Sequence, residues 1–367
     1  MTRIAYLLTQ DRGGPVDVTT RLARAVADLG GHTVGVFGPP PARDGDTLRD
    51  LHHPIDVPSK GDLRARGRAR AALRRWRPTI VHAQDRRAGL VVAGMQWRPG
   101  GPRAVVQTYH GVPDDVTQPW FSGARGADGP SRYSRMVLLG DAAVAAASTR
   151  TVVPATAMGD FLRQRLRIPA GRIVHLDNGV LLPEAAPPVG PVRRLLFVGL
   201  LVERKGLVDL LTALQRPGVL RDGVTLTVAG DGPARPAAER LAASPALAGR
   251  VEFLGYRTDV PELLATHDAL ILPSRMEQQP LVVAEAMGAG KPVLATDTGG
   301  VAEMLDVPGS RYLARPGDVD SIAAALVRLL ADREPGELGR ALADRARRLY
   351  SVERSAAAHL AFYQSLT

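Results

Sequence analysis

The residue order predicts an α/β protein of two doubly wound domains, and three observations carry the prediction. Short β-branched runs alternate with amphipathic or alanine-rich stretches, the pattern of parallel sheets covered by helices on both faces. Segment 182–192, LPEAAPPVGPV, is proline-rich and aperiodic, and reads as a linker near the middle of the 367-residue chain. Glycines recur just after the apolar runs, where doubly wound sheets bind their ligands.

In the first domain, assigned to residues 1–182, the candidate strands are RIAYLL, TVGVF, TIVHAQ, RAVVQTYH, AAVAAAS and RIVHLDN. After the first, Gly13 and Gly14 open a helix whose bare N-terminal amides suit an anion. A tight strand-to-helix turn is the plainer reading, because the G-x-G-x-x-G dinucleotide fingerprint is missing. In the second domain, assigned to 193–351 after a linker at 183–192, the candidates are RRLLFVG, VTLTVAG, RVEFLG, ALILP, PVLATD and RYLA. Two of its loops suit phosphate: Arg204-Lys205-Gly206, and Gly230-Asp231-Gly232-Pro233.

Composition narrows the function classes. At 45% hydrophobic and 23% charged residues the chain is globular, and with no cysteine it has no disulfide or thiolate chemistry, which favours a reducing, cytoplasmic compartment. RIAYLLT reads as a first strand rather than a leader, and no apolar run approaches the ~20 residues that span a bilayer. The formal charge of +10 invites a polyanion reading. It is almost wholly arginine, however, and resembles a coding bias more than a phosphate-binding face. Lysine occurs only at Lys60, Lys205 and Lys291, so Lys205 is informative: the two cations are not interchangeable at a charge-focused site. Segment 63–78, LRARGRARAALRRWRP, reads as a solvated helix, with a surface for an anionic membrane or acidic acceptor as the second reading. The Gly/Pro-rich stretch 111–133, carrying Trp120 and Phe121, reads as a lid or mobile loop on the acceptor side of His110.

The stretch 277–292, EQQPLVVAEAMGAGKP, puts two carboxylates eight positions apart in an otherwise apolar segment. Glu277 falls in a loop, Pro280 suits the first helical position, and the helix runs until Gly288 and Gly290 end it. A carboxylate on an apolar helix is costly to bury without donors, which a vicinal diol would supply to Glu285.

Glu277 and Glu285 match an E-x7-E motif, and with EAMGAGKPVLATDTGGVAEML, TYHG, LDNGV, FVGLLVERKG, VAGDGPAR and RVEFLGY the chain resembles glycosyltransferase family 4, enzymes of the GT-B fold. The resemblance spans nearly the whole chain. It implies two Rossmann-like domains facing each other across a cleft, the first acceptor-binding and completed by a C-terminal helix at 352–367, the second donor-binding. It further implies transfer of a hexose or amino-hexose from a nucleotide-diphosphate sugar, UDP first and GDP next, with retention and without a metal or other cofactor. The acceptor would be a hydroxyl of a small molecule or a lipid-linked glycoconjugate, with peripheral contact to an anionic membrane and no nucleic-acid partner.

By position, Glu285 would hold the ribose hydroxyls, and Glu277 with the backbone at Gln279, Pro280 and Leu281 would hold the donor sugar. Lys205 would neutralise the diphosphate, helped by Gly14 amides and the glycines Gly13, Gly199, Gly230 and Gly232. His110 would touch the donor sugar near the reacting centre, and Tyr256 and Arg257 would meet the nucleobase. Two departures stand out. Gly199-Leu200-Leu201 replaces the family's GRL, leaving Arg204 to stand for the diphosphate arginine, and EQQPL replaces EGFG. Asp44-Gly45-Asp46 and Asp318-Val319-Asp320 mimic a D-x-D metal motif, but the first lies in a Pro/Gly loop and the second opens a helix. The other readings are a different GT-B sugar-nucleotide enzyme such as a hydrolysing epimerase, and a nucleic-acid or membrane-binding module with a vestigial site.

Overall fold

The computed structural model describes residues 1–43 and 45–367. Asp44, and with it the first D-x-D match, lies outside the described residues. The chain forms two compact units, residues 1–180 with 351–367 and residues 181–350.

Unit 1 runs β1 (Thr2–Leu7), α1 (Gly14–Asp28), β2 (His32–Gly38), β3 (His52–Pro54), α2 (Leu63–Trp76), β4 (Ile80–Ala83), α3 (Arg86–Val92), β5 (Ala104–Thr108), α4 (Gln118–Phe121), α5 (Arg132–Ala146), β6 (Arg150–Val153), α6 (Thr156–Arg165) and β7 (Ile173–His175). Its parallel sheet has the order β3-β2-β1-β4-β5-β6-β7. Alternation along β1 sorts the core by face. Ile4, Tyr6 and Leu8 join Val16, Leu22 and Val26 of α1, while Ala5 and Leu7 join Ala65, Ala69 and Leu73 of α2 and Val91 and Val92 of α3.

Unit 2 runs β8 (Arg194–Val198), α7 (Leu207–Leu214), β9 (Thr225–Ala229), α8 (Arg235–Ala242), β10 (Val251–Gly255), α9 (Val260–Thr266), β11 (Ala269–Leu272), α10 (Leu281–Gly288), β12 (Val293–Thr296), α11 (Val301–Met304), β13 (Leu313–Ala314), α12 (Val319–Ala331) and α13 (Pro335–Leu349). Its parallel sheet has the order β10-β9-β8-β11-β12-β13. α14 (Val352–Gln364) then returns to unit 1, where Ala356 and Tyr363 enter the α1 side of the core.

Both strand orders reverse direction once, between β1 and β4 and between β8 and β11, and these switch points open crevices beyond the strand ends. That placement decides which loops meet.

Several expectations are corrected. AAVAAAS is not a strand but the end of α5 and its cap, and the strand next to β5 is β6, Arg150–Val153. An alanine run without period satisfies either reading, and alanine's helix propensity prevails. The proline-rich segment carries no helix or strand and is tied down at Ala186. Ala186 donates its N–H to Ala289 O at 2.9 Å, and Lys291 Nζ donates to Ala186 O, fastening the segment to unit 2. Stretch 111–133 is held at its middle by α4 and its ring contacts. It contains α4, capped by Thr117; Phe121 stacks on Phe161 at 4.8 Å, and the Arg165 guanidinium lies 4.7 Å over the Trp120 ring. Pro280 is the cap of α10 rather than its first residue. Asp318 caps α12, with one oxygen accepting from Ser321 N at 2.8 Å and the other from Arg315 Nε at 2.9 Å.

Candidate active site

At the unit 2 switch point, the loop after β8 carries Lys205 and the loop after β11 carries Glu277. Lys205 Nζ donates to Glu277 Oε1, which also accepts from Ser274 Oγ at 2.7 Å. The side chains are 14% and 8% exposed, so a full ion pair is held largely out of water, where a second acceptor contact on the carboxylate helps offset desolvation. Thr298 holds the Glu277 backbone, its Oγ1 accepting from Glu277 N at 3.2 Å, and Gly300 N donates to Gln278 O at 2.7 Å. Gln279 and Pro280 are buried beside them, and Gln278 Oε1 is buried with no hydrogen-bond partner among the described residues. Leu281 starts α10, and Glu285 is half-buried in its second turn. Arg204 is half-buried, its Nη1 3.5 Å from Met276 O.

The glycines of the neighbouring loops have a structural reason of their own. A Cβ on Gly230, at φ +146°, would lie 1.9 Å from Gly199 O, and one on Gly232, at φ +152°, would lie 2.5 Å from Leu201 O. The loops after β8 and β9 therefore touch backbone to backbone, tied by Leu201 N to Asp231 O at 2.9 Å. Tyr256 is 69% exposed, and Arg257 is exposed with its Nε donating to Asp259 Oδ1 at 2.8 Å, beyond the end of β10.

At the unit 1 switch point, Thr9 after β1 donates through both N and Oγ1 to Asp85 after β4, at 2.6 and 2.7 Å. Asp85 also caps α3. Gly13, at φ +102°, is the N-cap of α1, and Gly14 is its first residue. His110 follows β5 and lines a cavity of ≈ 220 Å³ with Gln10, Pro15, Arg86 and Gln107. Its Nε2 lies 3.3 Å from Gln84 Oε1. Burial, with the charge of His359 adding to it, pushes the imidazole down to about 4, so the ring is neutral near pH 7.

Sequence reasoning missed a network that engages the residues on either side of His110. Arg86 Nε donates to Asp141 Oδ1 and Oδ2 at 3.1 and 2.9 Å, its Nη2 donates to Gly111 O at 2.7 Å, and Tyr109 Oη donates to Asp141 Oδ2 at 2.8 Å. The network fixes the backbone on both sides of His110. Asp141 is a lone carboxylate in LLGDAAVAA, and that isolation was the available signal.

Comparison with known proteins decides the family. Residues 12–182 match the model described as Glycosyltransferase Family 4, and residues 192–332 match the model described as Glycosyl transferases group 1. The chain belongs to glycosyltransferase family 4. It is 30% identical over 275 residues to a glycogen synthase of Mycobacterium tuberculosis, a match covering 71% of this chain and 62% of that protein. The chain thus spans less than two thirds of that relative's length. This family 4 chain also shares the fold of the sucrose-phosphate synthase of Thermosynechococcus elongatus (TM-score 0.81, 21% identity, 100% and 99% of the two chains). A second such likeness is to Anabaena HepE in complex with UDP and glucose (TM-score 0.79, 18% identity, 100% of both chains). The architecture is accordingly GT-B, two parallel-sheet Rossmann-like domains. Among the described residues, no helix is long and apolar enough to cross a membrane.

Proposed function

We propose that this chain is a retaining glycosyltransferase that moves a hexosyl or amino-hexosyl group from a nucleotide-diphosphate sugar, UDP before GDP, to an acceptor hydroxyl. The observation that carries the reading is the convergence of Lys205 and Glu277 at the unit 2 switch point, where doubly wound domains take their ligands. A UDP donor is supported by the contents of the Anabaena neighbour, and a glycosyl-transfer activity by the names of the relatives. In the step itself, the bond from the anomeric carbon to the diphosphate breaks with its electron pair on the leaving oxygen. The acceptor oxygen bonds the same carbon and passes its proton to the departing diphosphate oxygen.

Stabilising the leaving diphosphate is the main task, and Lys205, held in place by Glu277, is the preorganised cation for it. Arg204 adds charge where Leu200 replaces the family arginine. Glu285 accepts from the ribose hydroxyls, Glu277 with the 279–281 backbone takes the sugar, and Gly14, Gly199, Gly230 and Gly232 let backbone amides approach phosphate. Tyr256 and Arg257 meet the base. His110, neutral and framed by Gln84 and the Arg86–Asp141 pair, contacts the sugar. Attack from the leaving-group face gives retention without a carboxylate nucleophile. No metal is required, and the reaction belongs to the cytoplasmic side, at the membrane periphery where the acceptor is lipid-linked.

The experiment is a melting-temperature panel with UDP, GDP, ADP and dTDP, followed by release of the nucleotide from its sugar. A ligand at a hundred times its Kd stabilises the fold by about 2.7 kcal/mol. Stabilisation by UDP above the other three is expected. A flat response to all four would discard the reading in favour of a module with a vestigial site.

A further inference from the structure

Unit 2 has two buried side-chain polar atoms with no hydrogen-bond partner among the described residues, Ser244 Oγ and Gln278 Oε1. Ser244 follows α8 and precedes β10, at the end of the sheet opposite the ligand crevice. Gln278 stands in the loop between β11 and α10, at the switch point itself. A buried acceptor without a donor carries its full desolvation cost, so its persistence calls for an explanation.

The polar groups around Gln278 are answered. Glu277 Oε1 accepts from Lys205 and Ser274, Thr296 Oγ1 donates to Ser274 O, and Thr298 Oγ1 accepts from Glu277 N. The backbone of Gln278 is pinned as well, its carbonyl accepting from Gly300 N. The loop after β12 packs directly on it: a Cβ on Gly299, at φ +57°, would lie 2.0 Å from Glu277 O and 3.0 Å from Gln278 Cα. Gln278 is therefore held at 8% exposure, a long polar side chain giving up rotamer freedom at a position where its amide oxygen gains no partner.

The chemistry of the missing partner follows from the carboxamide. Whichever way the amide is turned, one polar atom is left unanswered: an oxygen that needs a hydrogen or, with the amide reversed, an N–H that needs a lone pair. A hydroxyl supplies both, whereas an ammonium supplies only hydrogens and a carbonyl only lone pairs. The oxygen is closed off in the unliganded chain, but turning it toward a ligand breaks none of its hydrogen bonds, because it has none among the described residues. The same loop carries Glu277 and the 279–281 backbone, to which the proposed function assigns the donor sugar.

We infer that Gln278 is a specificity-determining residue whose carboxamide pairs with a hydroxyl of the transferred sugar, so that the site favours a fully hydroxylated hexosyl group over a deoxyhexosyl one. The inference rests on donor binding at this loop, as proposed above. It carries an opposition that a purely structural residue does not show: the apolar substitution that relieves the unliganded loop is the one that handicaps the donor.

The test compares the full chain with Gln278→Met, an apolar side chain of similar length. Removing an unpaired buried polar group should leave the melting temperature of the unliganded chain at or above the parental value. UDP alone should bind both proteins equally in titration calorimetry. With whichever of UDP-glucose and UDP-galactose the parent turns over faster, kcat/KM for UDP release should fall about tenfold to a hundredfold in the variant. The 2-, 3-, 4- and 6-deoxy analogues of that donor complete the cycle: the loss should vanish for the analogue that lacks the paired hydroxyl and persist for the others. A lower melting temperature, parental kcat/KM, or an equal loss with every analogue would overturn the inference. Failure of the parent itself to bind UDP would instead remove the donor reading, and this inference with it.

Discussion

Lys205 and Glu277, 72 residues apart in sequence, form one ion pair at the point where the unit 2 strand order reverses. The pair makes Lys205 both a held side chain and a poised charge. Lys205→Ala should therefore have two separable effects. Turnover should fall about 10²–10³-fold, more than donor affinity does, because leaving-group charge grows as the bond breaks. Stability should also fall, by about 3–5 kcal/mol if Glu277 is left as an uncompensated buried charge. Pairing the change with Glu277→Gln should recover the stability but not the turnover. Steady-state kinetics at saturating acceptor and thermal melts of the single and double variants read the two effects. Near-parental turnover in Lys205→Ala would remove the leaving-group role and leave a structural pair.

Glu285 is half-buried in the second turn of α10. Glu285→Ala should weaken nucleotide binding while leaving the melting temperature of the unliganded chain nearly unchanged. Titration calorimetry with UDP checks this, and equal affinity in variant and parent would cancel the ribose assignment.

Asp141 accepts from both Arg86 and Tyr109 in the interior. Asp141→Ala should destabilise unit 1 by about 3–5 kcal/mol, because Arg86 keeps its charge with no counter-ion. Asp141→Asn keeps a hydrogen-bond acceptor and should cost less. Denaturant melts separate the two, and a smaller loss in the alanine variant would show that the network is not an ion pair in function.

His82 and His359 are buried in the interior of unit 1, and His110 is half-buried at the edge of its cavity. Burial, with His359 contributing, lowers His110 to about 4; burial alone lowers His359 to about 4; and burial, then the charges of His359 and His110, lowers His82 well below its ordinary value. The unfolded chain takes protons on these rings as pH falls below 6.5, whereas the folded chain resists until near 4. Stability is therefore complete above pH 6.5 and is lost as pH falls toward 4, with His359 alone accounting for about 3 kcal/mol. His359→Asn should flatten the decline of melting temperature across that window. A slope unchanged from the parent would contradict the assignment.

Transfer should survive EDTA. Both oxygens of Asp318 are engaged in capping and in Arg315, and Asp46 is held by Arg49. Loss of activity in chelator, restored by manganese or magnesium, would contradict metal independence.

The sheets were legible because β-branched runs between glycines report strands whatever packs around them, and the E-x7-E stretch was legible because a carboxylate on an apolar helix demands an explanation. The same rule would have found Asp141. Reading AAVAAAS as a strand hid the helix it shares with Asp141, and a carboxylate just before a strand raises no comparable question. The Lys205–Glu277 pairing could not be read locally at all, since it depends on β8 and β11 lying side by side, which is a property of strand order. Strands β3 and β6 escaped for a different reason: both are short, and β3 contains two histidines and a proline.

Val180 and Ser351 form a single parallel bridge. The chain therefore leaves unit 1 and re-enters it at the same spot, and residues 181–350 are topologically a cassette inserted into an otherwise continuous domain. A short turn joining Val180 to Ser351 would restore a contiguous unit 1, α14 included. Recombination at those two neighbouring points would exchange residues 181–350 as a block without cutting a strand of the host sheet.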